Sequence, residues 1–203
     1  MPNALSAARP LVLGSGSPRR REILGSLGIA CAVLPAAVDE STIPGEAPLD
    51  YLARVVTLKR LGVLALLGGQ PAAAVLVADT SVTLGNEIFG KPADVAEAER
   101  MLERLCGREH SVFTRYSLCG PDGGALCERT VRSRVWLRAA TRSELRGYAE
   151  SGEGLDKAGA YAVQGLGAFL VERIDGSYTN VVGLPACELV QDLGAGGWLE
   201  RFP

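Results

Sequence analysis

The stretch Leu11–Leu24, LVLGSGSPRRREIL, runs an apolar segment into two glycines, two serines, a proline and three consecutive arginines. Ser17 is placed to cap a helix, and Pro18 suits its first position. Arg19, Arg20 and Arg21 then stand where a helix N-terminus already carries about half a positive charge. Cations are disfavoured there, so the cluster calls for an anion. Two lysines point the same way. Lys59 interrupts an apolar stripe of Leu52, Val55, Val56 and Val63, and Lys91 sits in a Gly-Lys-Pro turn. Carboxylates lie among these cations. Asp79 ends the apolar run Val75–Ala78, at the mouth of an expected central strand, where catalytic groups gather in open α/β sheets. Asp39 and Glu40 precede a Ser-Thr-Ile-Pro loop. The arginines, the lysines and the backbone N–H groups of Gly14–Ser17 together read as a receptor for a polyphosphate. The carboxylates imply a bridging Mg²⁺ or Mn²⁺ and a group that positions or deprotonates water. Each residue also has a plainer role open to it. Asp79 can cap a turn, Lys59 can snorkel, and Lys91 and the Asp39–Glu40 pair can be ordinary surface.

Composition narrows the field. The 203 residues suffice for one substantial core, and with 47% hydrophobic and 22% charged residues the chain is globular. A net charge of −2 makes the arginine cluster a local feature and argues against a general nucleic-acid binder. The five cysteines show no zinc-ligand spacing and no CxxC pair. Residues 1–10 contain no secretory apolar core, and no run approaches membrane-spanning length. The expectation is a cytoplasmic protein with reduced thiols and no membrane partner. The single histidine, His110, excludes multi-histidine zinc sites and leaves any Ser-His or Cys-His nucleophile one possible base.

The elements that must position these groups follow from local signals. Strands are expected at Leu11–Leu13, Cys31–Leu34 and Val75–Ala78, with a hairpin of Ser81–Leu84 and Glu87–Phe89 around Gly85-Asn86. Longer strands are expected over 110–119 and 125–137, joined by Pro121-Asp122-Gly123-Gly124, and a last strand over Ala168–Ile174. Helices are expected over Pro18–Leu27, Leu49–Leu67, from Asp94 through Leu105 with Glu97 completing a capping box, from Thr141 with Glu144, and over Pro185–Leu193. Mixed strands and helices with antiparallel pairs give an α/β fold with a mixed sheet and flanking helices. No internal repeat or interdomain linker is visible, so 1–203 reads as a single domain. Two motifs fail on inspection. Gly14-Ser-Gly16 has Arg19 where a dinucleotide fingerprint needs its third glycine, and Gly85–Pro92 has Pro92 where a P-loop needs Ser or Thr.

The residues match a family pattern in order. Ser15-Gly-Ser-Pro-Arg-Arg20, Val38-Asp-Glu40, Lys59, Ala78-Asp-Thr80, Gly90-Lys-Pro92, Leu105–His110, Asp156–Tyr161, Gln164-Gly165 and Asn180–Pro185 make the chain resemble the Maf family of nucleoside triphosphate pyrophosphatases, from Leu11 to about Leu189. The resemblance implies an inosine triphosphatase-like fold of two lobes around a cleft. It implies hydrolysis between the α and β phosphates of a nucleoside triphosphate. Asp79 takes the place of the catalytic carboxylate, Glu40 of a second acid near the metal, and Ser15, Arg20, Lys59 and Lys91 of phosphate contacts, with Lys157 joining them. Arg19, Thr80 and Gln164 resemble the branch that prefers dTTP and UTP over 7-methyl-GTP. A Gln amide can both donate and accept, which suits the N3–H and a carbonyl of uracil or thymine. Departures from the pattern are Arg115, in place of a small residue, and Val56-Thr57, in place of a more polar pair. The alternatives are a 7-methyl-GTP pyrophosphatase and a nucleotide-binding regulator of cell division without turnover. Homodimers are common in the family.

Overall fold

The protein is described here from a computed structural model, in which residues 4–124 and 126–199 are placed. Its seven-stranded sheet has the order β2-β1-β3-β5-β6-β7, with β4 beside β3. The strands are β1 (Leu11–Leu13), β2 (Cys31–Val33), β3 (Ala74–Leu84), β4 (Glu87–Phe89), β5 (Glu109–Cys119), β6 (Cys127–Leu137) and β7 (Val171–Asp175). Both β2 and β3 run parallel to β1, whereas β4 is antiparallel to β3 and β7 to β6, so the sheet is mixed as expected. The helices are α1 (Pro18–Ser26), α2 (Pro48–Leu67), α3 (Val95–Leu105), α4 (Arg142–Glu150), α5 (Tyr178–Val182) and α6 (Ala186–Ala195). Among the described residues no helix is long and apolar enough to cross a membrane.

The chain divides into two compact units. One takes the chain up to Asp79, Thr114–Thr130 and the chain from Gly183 onward; the other takes Thr80–Phe113 and Val131–Val182. In the first, Val12, Val75 and Val77 pack with Val56, Val63 and Leu67 of α2. The whole run Ala74–Ala78 is buried, which suits a parallel strand covered on both faces. Gly14 is required by this packing. A Cβ there would stand 2.5 Å from Val63 Cγ2 and 2.7 Å from Val77 Cγ1. In the second, Ala98, Leu102 and Leu105 of α3 and Leu145, Tyr148 and Ala149 of α4 pack with Val112, Val135 and Leu137.

Helix ends largely obey their sequence signals. Pro48 opens α2 and Gly68, in the left-handed region, ends it. Thr141 and Glu144 form a complete capping box on α4. At α3 the box is displaced. Asp94 accepts from Glu97 N at 2.7 Å, but the Glu97 carboxylate reaches Ala93 N at 2.6 Å, one residue ahead of the cap. Ser17 holds the N-cap position of α1 without a side-chain cap, and its own N–H donates to Ser15 Oγ at 3.3 Å.

Two strand expectations need correction, and one helix adds to the expected set. The strand over Val75–Ala78 does not stop at Asp79. It continues through Thr80 and Ser81 into the hairpin arm as one strand of 11 residues, because β-branched Thr80 and buried Ser81 accept the extended backbone. Asp79 therefore lies mid-strand. The expected strand over Ala168–Ile174 begins only at Val171, after a 3₁₀ turn over Gly165–Leu170, since the Leu166 and Gly167 N–H groups are taken up by the Glu153 carboxylate. α5 was not anticipated. It carries fully buried Asn180, whose amide donates to Val112 O at 3.1 Å and Ser133 Oγ at 2.9 Å. Ala125, the first residue of the expected strand over 125–137, lies outside the described residues.

His110 belongs to the core of the second unit. It is 2% exposed, its Nε2 lies 2.7 Å from Tyr161 Oη, and burial pushes its pKa from 6.5 down to about 4. The folded protein holds the imidazole neutral, while the unfolded chain binds a proton below pH 6.5. This contribution to stability is thus full above 6.5 and is lost as pH falls toward about 4. His110→Gln, followed by urea unfolding across that window, should flatten the pH dependence by about 3 kcal/mol at most. An unchanged slope would place the histidine in a solvated setting instead.

Candidate active site

In the first unit, the Lys59 ammonium donates to Asp79 Oδ1 and to Glu40 Oε2, each at 2.8 Å. Lys59 and Asp79 are each 8% exposed, whereas the Glu40 side chain is about half exposed. Lys59 is therefore no snorkelling residue. Its apolar neighbours Leu52, Val55, Val56 and Val63 are fully buried, and they fix the helix face from which its ammonium emerges between two acids. An ammonium taken from water needs such partners.

Arg20 completes the cluster. It is 8% exposed, and its guanidinium donates to Ser15 Oγ at 2.9 Å and Gly183 O at 2.8 Å. Burial lowers its pKa, and the Asp79 and Glu40 carboxylates act against that shift. The arginine-bearing helix start thus has anionic neighbours of its own, and an external phosphate is not the sole counter-charge. Arg19 is half-buried and Arg21 exposed. Of the backbone donors expected to face an anion, Gly14 N–H is spent on Leu76 O at 2.8 Å and Ser17 N–H on Ser15 Oγ. Ser15 Oγ accepts from both Arg20 and Ser17, and its hydroxyl proton can still be donated.

The loop bearing Glu40 is clamped by residues that the sequence reading missed. Tyr51 of α2 donates to Glu40 O at 3.1 Å. Arg54 donates to Ser41 O at 2.8 Å and grips the Glu46 carboxylate at 2.6 and 2.7 Å. Burial, reinforced by the Asp79 and Glu40 charges, pushes the Tyr51 phenol upward, so it stays a protonated donor. The spacing carried the signal. Residues 51, 55 and 59 recur every four positions and share one face of α2.

The remaining expected residues belong to the second unit. Thr80 is half-buried and follows Asp79 directly in β3. Lys91 is exposed, in the loop after β4. Lys157 donates to Asp156 Oδ1 at 2.6 Å and to Glu153 O. The two lysine loops are tied together, since Gly159 N donates to Gly90 O at 3.0 Å. The turn after Lys157 is unusual. Gly159 and Ala160 have φ of 73° and 60°, and a left-handed alanine in a buried turn is the kind of strain that functional sites retain. Gln164 is exposed and precedes the 3₁₀ turn.

The pattern of Maf-like proteins matches residues 10–195. The chain belongs to the Maf family. Among curated relatives, a dTTP/UTP pyrophosphatase of Hahella chejuensis is 44% identical over 95% of this chain and 96% of its own. One of Myxococcus xanthus is 49% identical over 92% of each chain, and one of Burkholderia thailandensis 47% identical over 93% and 94%. Of solved structures, the Staphylococcus aureus Ham1 protein is similar at 13% identity with a TM-score of 0.48, covering 93% of this chain and 100% of that one.

No three histidine, cysteine, aspartate or glutamate side chains converge on a metal position among the described residues. The pair Asp79 and Glu40 still suits a hard cation such as Mg²⁺, which takes one or two carboxylates and draws its other ligands from water and substrate phosphates.

The Lys59 bridge is directly testable. Lys59→Met would leave Asp79 buried without its cation, and urea unfolding at pH 7 should show a loss of about 3 kcal/mol. Adding Asp79→Asn should restore much of it, because the uncompensated charge is then gone. Additive losses in the double variant would show that the two groups do not form a pair.

Proposed function

We propose that this chain is a nucleoside triphosphate pyrophosphatase that hydrolyses dTTP and UTP to the monophosphate and pyrophosphate. The observation that carries the reading is the buried Lys59 ammonium held between Asp79 and Glu40 beside buried Arg20. Acid and cation are there preorganised at one place, as phosphoryl transfer requires, since that chemistry depends mainly on positioning and charge stabilisation. The names of the relatives support the substrate pair.

In this mechanism Asp79 orients water against the α-phosphorus and accepts its proton. Lys59 directs the Asp79 carboxylate through its hydrogen bond, while the side chains of Arg19 and Arg20 and the Ser15 hydroxyl hold the phosphate oxygens. Lys91 and Lys157 are assigned to phosphate contacts by the family resemblance alone. Asp79 and Glu40 would hold a Mg²⁺ or Mn²⁺, which when bound supplies Lewis-acid neutralisation of the phosphates. His110 takes no part, being buried and paired with Tyr161. No covalent nucleophile is needed.

Gln164 reads the base, with Arg19 and Thr80. A site that pairs with the N3–H and carbonyl of uracil or thymine leaves polar groups unmatched against cytosine or 7-methylguanine. Pyrophosphate release should therefore be much faster from dTTP and UTP than from CTP, ATP, GTP or 7-methyl-GTP, and should fall on adding EDTA. Asp79→Asn should lower kcat on UTP by roughly a hundredfold or more with the fold retained. Near-normal turnover in that variant would remove Asp79 from the mechanism. 7-Methyl-GTP as the best substrate would overturn the base assignment alone.

A further inference from the structure

The segment carrying Gln164 is built around a side chain that none of the sequence motifs singles out. Glu153 follows α4, and its Oε1 accepts from Leu166 N at 2.9 Å. Its Oε2 accepts from Gly167 N at 2.7 Å and from the Tyr148 hydroxyl at 2.9 Å. That hydroxyl oxygen in turn accepts from Ala162 N at 3.0 Å. One carboxylate and one phenol thus capture backbone N–H groups on both sides of Gln164. The arrangement leaves no slack. A Cβ at Gly165 would stand 2.2 Å from Glu153 Oε1, and one at Gly167 would stand 2.6 Å from Tyr148 Oη. Gly165 also has a φ of 64°, which favours glycine at this turn.

The Gln164 side chain is exposed, and the backbone that these hydrogen bonds hold fixes the Cα–Cβ bond from which it projects. The main chain of Glu153 has a second task, since its carbonyl accepts from the Lys157 ammonium. We infer that Glu153, acting through Tyr148 and the backbone of 162–167, is a positioning residue for base selection, holding the Gln164 amide where it reads the pyrimidine edge. This inference rests on the proposed reading of Gln164.

Glu153→Gln keeps the shape of the side chain but turns an amide N–H₂ toward a backbone N–H, so one capture is lost whichever way the amide lies. Specificity constants on UTP and CTP would be measured for the wild type, Glu153→Gln, Tyr148→Phe, Gln164→Ala and the double variant Glu153→Gln/Gln164→Ala, with thermal melts to establish folding. The UTP-to-CTP ratio should fall at least about tenfold in Glu153→Gln and in Gln164→Ala, and the double variant should fall no further than Gln164→Ala. The loss on UTP should appear in KM more than in kcat. If Gln164→Ala lowers the ratio while folded Glu153→Gln and Tyr148→Phe keep it, Glu153 does not position the base reader and the inference fails alone. Multiplying losses in the double variant would overturn it equally. If Gln164→Ala leaves the ratio intact, the reading of Gln164 fails and takes the inference with it, while dTTP and UTP hydrolysis by the wild type is judged separately. Should Glu153→Gln not fold, Tyr148→Phe, which loses only a hydroxyl, decides the matter.

Discussion

An ammonium buried between two carboxylates is the constraint on which the first unit is organised. Lys59 can be removed from water only because Asp79 and Glu40 each meet it at 2.8 Å. Asp79 is itself tolerable inside the fold only because that cation is there. The mutual dependence fixes three separate pieces of chain: the middle of β3, the loop before α2, and the middle of α2. Arg20 adds a second buried cation near the same acids, held by Ser15 and Gly183. The arrangement costs desolvation, which the opposite charges held in fixed positions offset.

The surrounding packing has the same logic. α2 acts as a ruler, with Tyr51 and Arg54 securing the backbone at Glu40 and Ser41 while Lys59 engages the acid itself. Val63 of the same helix packs so closely over Gly14 that no side chain fits there, which fixes the start of the Ser15–Arg20 segment. In the second unit the equivalent work is done by hydrogen bonds. Glu153 and Tyr148 hold the Gln164 turn, and Gly159 joins the Lys157 turn to the Lys91 loop.

Much of this was legible from the sequence, for identifiable reasons. Lys59 stood out because a cation interrupts an apolar helical stripe, although snorkelling would also account for it, and Asp79 because it closes a run of apolar residues. Helix limits followed from Pro48, Gly68 and the Thr141–Glu144 box, all of which act locally. What escaped was non-local. The continuation of β3 beyond Asp79 depends on strand neighbours, and Asp-Thr-Ser by itself reads as a turn. The 3₁₀ turn over Gly165–Leu170 exists because a carboxylate 13 residues earlier takes Leu166 N. Arg20 looked like a cation awaiting a phosphate, yet Asp79 and Glu40 already offset part of its charge. Only the fold brings those acids to it.

Pyrophosphohydrolysis at the Lys59–Asp79–Glu40 centre is tested most directly by following UTP with ³¹P NMR in the presence of Mg²⁺, with the wild-type chain and with folded Lys59→Met. The wild type should give UMP and pyrophosphate in equal amounts, and the variant should convert little. UDP and orthophosphate from the wild type, or unchanged conversion by Lys59→Met, would contradict it.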